Sequence, residues 1–122
     1  AVRADGELPM YTTYWSADYN DPDNFVYTFF APGNTERRSF NFKNEELSQR
    51  VVAARAITDN DERMKEYQDL EKAIIQDEAA WIPLFFKQHI FVTSDRLKGY
   101  QVSWNGWTGG WLYYDGLKIV NE

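Results

Sequence analysis

Apolar residues along this chain change their spacing several times, and each change marks an element. From Leu8 to Trp15 they mix with Thr and Tyr as in a strand, with Pro9 near the start, where a missing N–H does no harm. Asp21-Pro22-Asp23 then predicts a helix start: an aspartate cap, a proline at the first helical position and an acid in the positive first turn. Phe25, Val26, Phe29 and Phe30 give that helix one apolar face, and Pro32-Gly33 ends it. Thr35 to Lys43 reads as a polar loop anchored by Phe40 and Phe42. Asn44-Glu45-Glu46 opens a second helix with Leu47, Val51 and Ala54 inside, which stops near Ile57.

Asp59 and Glu62 have the spacing of a capping box, and Tyr67, Leu70 and Ile74 form the stripe of a third, longer helix reaching about Ala79. Trp81 to Thr93 turns β-rich, Asp95 to Gly99 reads as a turn, and a short strand is expected around Leu117 to Val120. The expected fold class is α/β, three helices against a mixed sheet, with Tyr67, Leu70, Ile74, Phe25 and Phe29 in the core.

Composition narrows the function. The 122 residues are the size of one ordinary domain, and at 43% hydrophobic they can bury a core. A net charge of −6 argues against nucleic acid as a partner, because tracking phosphates needs clustered Lys and Arg. Without cysteine there is no disulfide framework, thiolate metal site or Cys nucleophile. No apolar run approaches a membrane span. Ala1-Val2-Arg3-Ala4-Asp5 has neither the basic nor the apolar region of an export signal, so such a signal is expected to have been removed or never present.

Catalytic chemistry finds little support. His89, the single histidine, sits in a β-rich segment without a nearby ligand set, so no metal site is expected. There is no G-x-S-x-G elbow and no glycine-rich phosphate cradle, and the acid pairs Glu45-Glu46 and Asp77-Glu78 fit solvated helix faces. The chain is read as a non-enzyme without a cofactor. Trp104 to Trp111 alternates large rings with glycines; a core or lid role is favoured there over a stacking platform. Asp18 stands out: it lies between an aromatic-rich predicted strand and a capped helix, at a strand end where α/β folds tend to bind ligands. A turn-forming aspartate is the plainer alternative.

Trp15-Ser16-Ala17-Asp18-Tyr19-Asn20-Asp21-Pro22-Asp23-Asn24-Phe25 resembles the W-x-A-D-Y-x-[DE]-P-x-x-F motif of oligopeptide- and dipeptide-binding proteins (family 5) of ABC importers. The likeness continues through Ala56-Ile57-Thr58-Asp59-Asn60-Asp61-Glu62-Arg63, Ala80-Trp81-Ile82-Pro83-Leu84-Phe85 and Lys98-Gly99-Tyr100, covering the chain from about Leu8 onward. Such proteins have two α/β lobes that close over a ligand and deliver it to a membrane permease. The resemblance implies that residues 1–122 are a C-terminal lobe segment, without first lobe or hinge, of a periplasmic or extracellular protein anchored at the cell surface as a lipoprotein. Its partners would be a peptide or other small solute, the permease and the rest of the binding protein. Strands that relatives pair with the other lobe would expose edges here and favour self-association.

By the same resemblance Asp18 pairs with the α-ammonium of a peptide, while Trp15 and Ser16 line its pocket. Four positions after Pro83, where peptide binders often carry a cleft tyrosine, stands Lys87. Nickel complexes, oligosaccharides and opines are also ligands of the superfamily. A separate alternative is an aromatic-rich carbohydrate-binding module, told apart by whether the ligand needs a cationic amine or a stacking sugar face.

Overall fold

Asp21, Asn44 and Asp59 each begin a helix, as their places ahead of apolar runs predict. The computed structural model describes residues 3, 5, 7–88, 90–101 and 116–120. Their α-helices are α1 (Asp23–Phe30), α2 (Asn34–Arg37), α3 (Glu45–Ala54) and α4 (Asn60–Lys72), and a π-helical turn, Ala73–Asp77, continues α4. Asp21 Oδ1 accepts the Asp23 N–H at 2.9 Å, Asn44 Oδ1 the Leu47 N–H at 3.1 Å and Asp59 Oδ1 the Glu62 N–H at 2.9 Å. Each satisfies a donor that the first helical turn leaves without a partner.

The chain divides into two units, Ala1–Pro83 and Leu84–Glu122. In the first, α1, α3 and α4 enclose one core: Val26, Phe29 and Phe30 meet Leu47, Val51 and Ala54, then Tyr67, Leu70 and Ile74. Phe25, expected in this core, is 39% exposed. Val26, Phe29 and Phe30 share one face of α1; Phe25 lies about 40° from Phe29 but about 100° from Val26 and about 140° from Phe30, at the edge of that face. Phe40 and Phe42 do anchor their loop: Phe40 meets the Phe29 ring edge-on at 5.1 Å, and Phe42 meets Phe30 in the same way at 5.2 Å. Trp81 closes this aromatic cluster, 4.9 Å from both Phe29 and Phe30, with its buried Nε1 lacking a hydrogen-bond partner among the described residues.

The predicted three helices against a mixed sheet are corrected. α2 forms inside the expected loop because Gly33, at φ 74° in the left-handed region, turns the chain after Pro32, and Asn34 Nδ2 donates to the Tyr27 carbonyl at 3.1 Å. The described sheet is one antiparallel pair in the second unit, β1 (Leu97–Lys98) with β2 (Lys118–Ile119), Leu97 opposite Ile119. Gly99 permits the approach beside it, since a Cβ there would overlap the Gly116 carbonyl oxygen. Residues 8–15 and the described part of 81–93 lie outside regular secondary structure. Their Thr, Tyr, Trp and Phe content suits a pleated surface, but a strand exists only where a neighbour completes its ladder, whereas helical bonds are local. Leu84, Phe85, Phe86, Ile90 and Val92 are exposed. His89 and the stretch Trp104 to Trp111 fall outside the described residues.

Candidate functional site

The loop from Trp15 to Tyr19 is laid over the first turn of α1 and tied to it by two buried polar side chains, Asp23 and Asn24. Asn24 Oδ1 accepts from Trp15 Nε1 at 2.8 Å and from the Asp18 N–H at 3.0 Å, and Nδ2 donates to Asp18 Oδ2 at 3.4 Å. Tyr19 donates its hydroxyl to Asp23 Oδ2 at 2.7 Å. Trp15 is fixed further by Phe29, edge-on at 5.2 Å, and by the Arg38 guanidinium, 4.8 Å over its ring.

The structure thus brings Trp15, Ser16 and Asp18 together on one loop. Ser16 is half-buried, and Asp18 is exposed, with Asn24 beside it on the α1 side. The loop also reaches Asp18 without a strand, so the strand-end rationale for that residue falls; the start of α1 positions it instead. Lys87 is exposed and belongs to the second unit.

Asp21 and Asp23 do more than start a helix. Both oxygens of Asp21 take hydrogen bonds from Arg63, Oδ1 from Nη1 at 3.1 Å and Oδ2 from Nη2. Asp23 Oδ1 receives the Tyr67 hydroxyl at 3.0 Å and pairs with Arg55 Nε at 3.1 Å. These groups line a cleft of about 370 Å³. Burial, reinforced by the Asp23 hydrogen bond, pushes the Tyr67 phenol up to about 12, and the same two causes raise Tyr19. The Arg63 hydrogen bonds hold the Asp21 carboxyl below its ordinary 3.8. A wider depression of about 670 Å³ lies elsewhere, lined by Phe30, Phe42 and Trp81 together with Lys43, Glu45 and Glu78. Trp15, Ser16 and Asp18 line neither.

The Asp21–Arg63 pair sets a pH dependence. A carboxylate whose folded pKa is lowered stabilises fully above the ordinary 3.8 and loses that contribution as pH falls through the folded value. Arg63→Met should therefore lower the urea midpoint at neutral pH, and the gap from wild type should close as the pH drops below 3.8. A gap that persists unchanged in strong acid would show that the pair is not its source.

Asn24, Arg55 and Arg63 went unread in the sequence. Asn24 carried a faint signal, an amide immediately before the apolar run that begins at Phe25. Arg55 carried none, and Arg63 stood at the end of the stretch from Ala56 without a role read into it.

No family model matches the chain, and no solved structure matches it significantly. Curated relatives do match. A heme-binding protein A from Haemophilus influenzae is 32% identical over 97 residues, which is 79% of this chain and 18% of the relative. A probable D,D-dipeptide-binding periplasmic protein of Escherichia coli is 35% identical over 101 residues, 78% of this chain and 19% of its own length. A probable di/tripeptide-binding protein of Pseudomonas aeruginosa is 27% identical over 101 residues, 80% of this chain and 19% of its own. The chain spans about a fifth of the length of these relatives, 18% to 19%.

Proposed function

Because the chain belongs to the oligopeptide- and dipeptide-binding family of solute-binding proteins, we propose that it forms part of a ligand cleft that captures a peptide or similar small solute. The working protein is then a longer, non-catalytic carrier in the periplasm or at the cell surface, and these residues are a C-terminal piece of one of two lobes. It delivers its ligand to an ABC importer permease.

Asp18 carries this reading: a carboxylate supported by Asn24, turned to solvent, one loop turn from a fixed Trp15. An α-ammonium is its chemical complement. Left open to water, such a pair contributes about 1 kcal/mol at most, because solvent screens it. Once the rest of the cleft covers it, a charged hydrogen bond is worth about 1.5 to 3 kcal/mol, enough to demand a free amino terminus without reading peptide sequence. Ser16 shares that loop. Lys87 is proposed as a separate ligand contact, made by the second unit.

The test uses the full-length protein that contains this chain, screened by thermal shift against di- to tetrapeptides, their N-acetylated forms, heme and oligosaccharides. Free peptides should stabilise it most, and Asp18→Asn should weaken their binding about tenfold or more, the value of one charged hydrogen bond. N-acetylation should weaken binding to wild type and do little further to the variant. Additive losses, or stabilisation by an oligosaccharide alone, would overturn the role given to Asp18.

A further inference from the structure

Asn24 is 2% exposed, a full amide in the first turn of α1 that the loop from Trp15 to Tyr19 covers, on the side of the helix turned away from Val26, Phe29 and Phe30. A buried amide is costly unless all its groups are used. Here the orientation is dictated by chemistry. Indole Nε1 and a backbone N–H can only donate, so the atom facing Trp15 and Asp18 N must be the amide oxygen, and Nδ2 is thereby turned toward Asp18 Oδ2. The same side chain that anchors the loop backbone also aims the carboxylate that the loop presents.

We propose that Asn24 is a positioning residue for ligand capture, holding the Asp18 carboxylate in the direction from which it meets the ligand's ammonium. This rests on the reading of Asp18 given above. The 3.4 Å contact is long, so it steers the carboxylate more than it binds it. Its neighbour Asp23 works in parallel by holding Tyr19, the residue after Asp18, at 2.7 Å. The carboxylate therefore stands between two tethered residues, Trp15 and Tyr19, with the Asn24 amide beneath it.

Asn24→Asp separates the two duties of this side chain. It keeps an acceptor for Trp15 and the Asp18 N–H but replaces the donor with an oxygen that opposes the Asp18 carboxylate. The full-length protein is titrated calorimetrically with trialanine and N-acetyl-trialanine, and the ratio of the two affinities is the free-amine preference. Asn24→Asp is expected to cut that preference about threefold to tenfold, the worth of one net hydrogen bond. A merely structural asparagine would weaken both peptides alike and leave the ratio unchanged, which overturns the proposal.

The exchanged pair, Asp18→Asn with Asn24→Asp, restores an amide facing a carboxylate with the partners reversed. Its melting temperature should recover most of what Asn24→Asp loses, while the free-amine preference stays lost, because the charge has moved inside. This arm needs no ligand and holds if Asn24→Asp is too unstable to titrate. An exchanged pair no more stable than the single variant would also overturn the proposal. Failure of the underlying reading looks different: wild type would show no free-amine preference, or Asp18→Asn would keep it.

Discussion

Asp23→Ala should cost this chain about 3 kcal/mol, a large share of the stability of a small domain. The carboxylate is 7% exposed and receives two phenol hydroxyls and a guanidinium, which link the loop, the end of α3 and the middle of α4 to the first turn of α1. Tyr19 and Arg55 can turn to water once it is gone. Tyr67 cannot, being 2% exposed, and a buried hydroxyl left without a partner costs about 1 to 3 kcal/mol. Asp23→Asn, which keeps one acceptor, should cost less. Urea unfolding followed by far-UV circular dichroism measures both, and in a Tyr67→Phe background the penalty of Asp23→Ala should shrink. An equal penalty in the two backgrounds would place the cost elsewhere than the phenol.

Leu70→Ala is expected to cost a comparable amount, about 2 to 5 kcal/mol. Leu70 is fully buried where α4 meets α3 and the π-helical turn, so the space left by its isobutyl group has rigid walls on every side. Phe25→Ala, on the same core-forming helix as Phe29 but exposed, should stay within about 0.5 kcal/mol. Comparable losses for the two substitutions in one urea series would show that the core is not seated as described.

Local chemistry was legible in the sequence and long-range chemistry was not. The caps at Asp21, Asn44 and Asp59 each depend on residues within three positions, and all were readable. The stripe Tyr67, Leu70 and Ile74 was readable for the same reason, since three and four positions make a helical face. Phe25 misled because its four-residue spacing to Phe29 fits the stripe, while its angle of about 140° from Phe30 places it at the stripe's edge. The segments at 8–15 and 81–93 misled because strand-like composition does not name the partner that a ladder requires.

For the site, Asp18 was singled out by its motif and its place before a capped helix. Its supports were hidden in different ways. Arg63 reaches Asp21 across 42 residues, and Tyr67 reaches Asp23 across 44, distances over which no sequence pattern operates. Asn24 was hidden in plain view, six residues from Asp18, because an asparagine in a first helical turn reads as a local polar residue until its burial is known.

The tethered loop from Trp15 to Tyr19 also bears on the entropy of any contact made there. Indole, backbone N–H and phenol are each already bonded to α1 before anything arrives. Ordering a free loop and its side chains would subtract about 0.5 to 1.5 kcal/mol for each immobilised side chain from the binding free energy. Here folding has met that cost in advance. An incoming group at Asp18 should therefore find its counterpart standing still, with little heat-capacity change from loop ordering and with its affinity expressed mainly as slow departure.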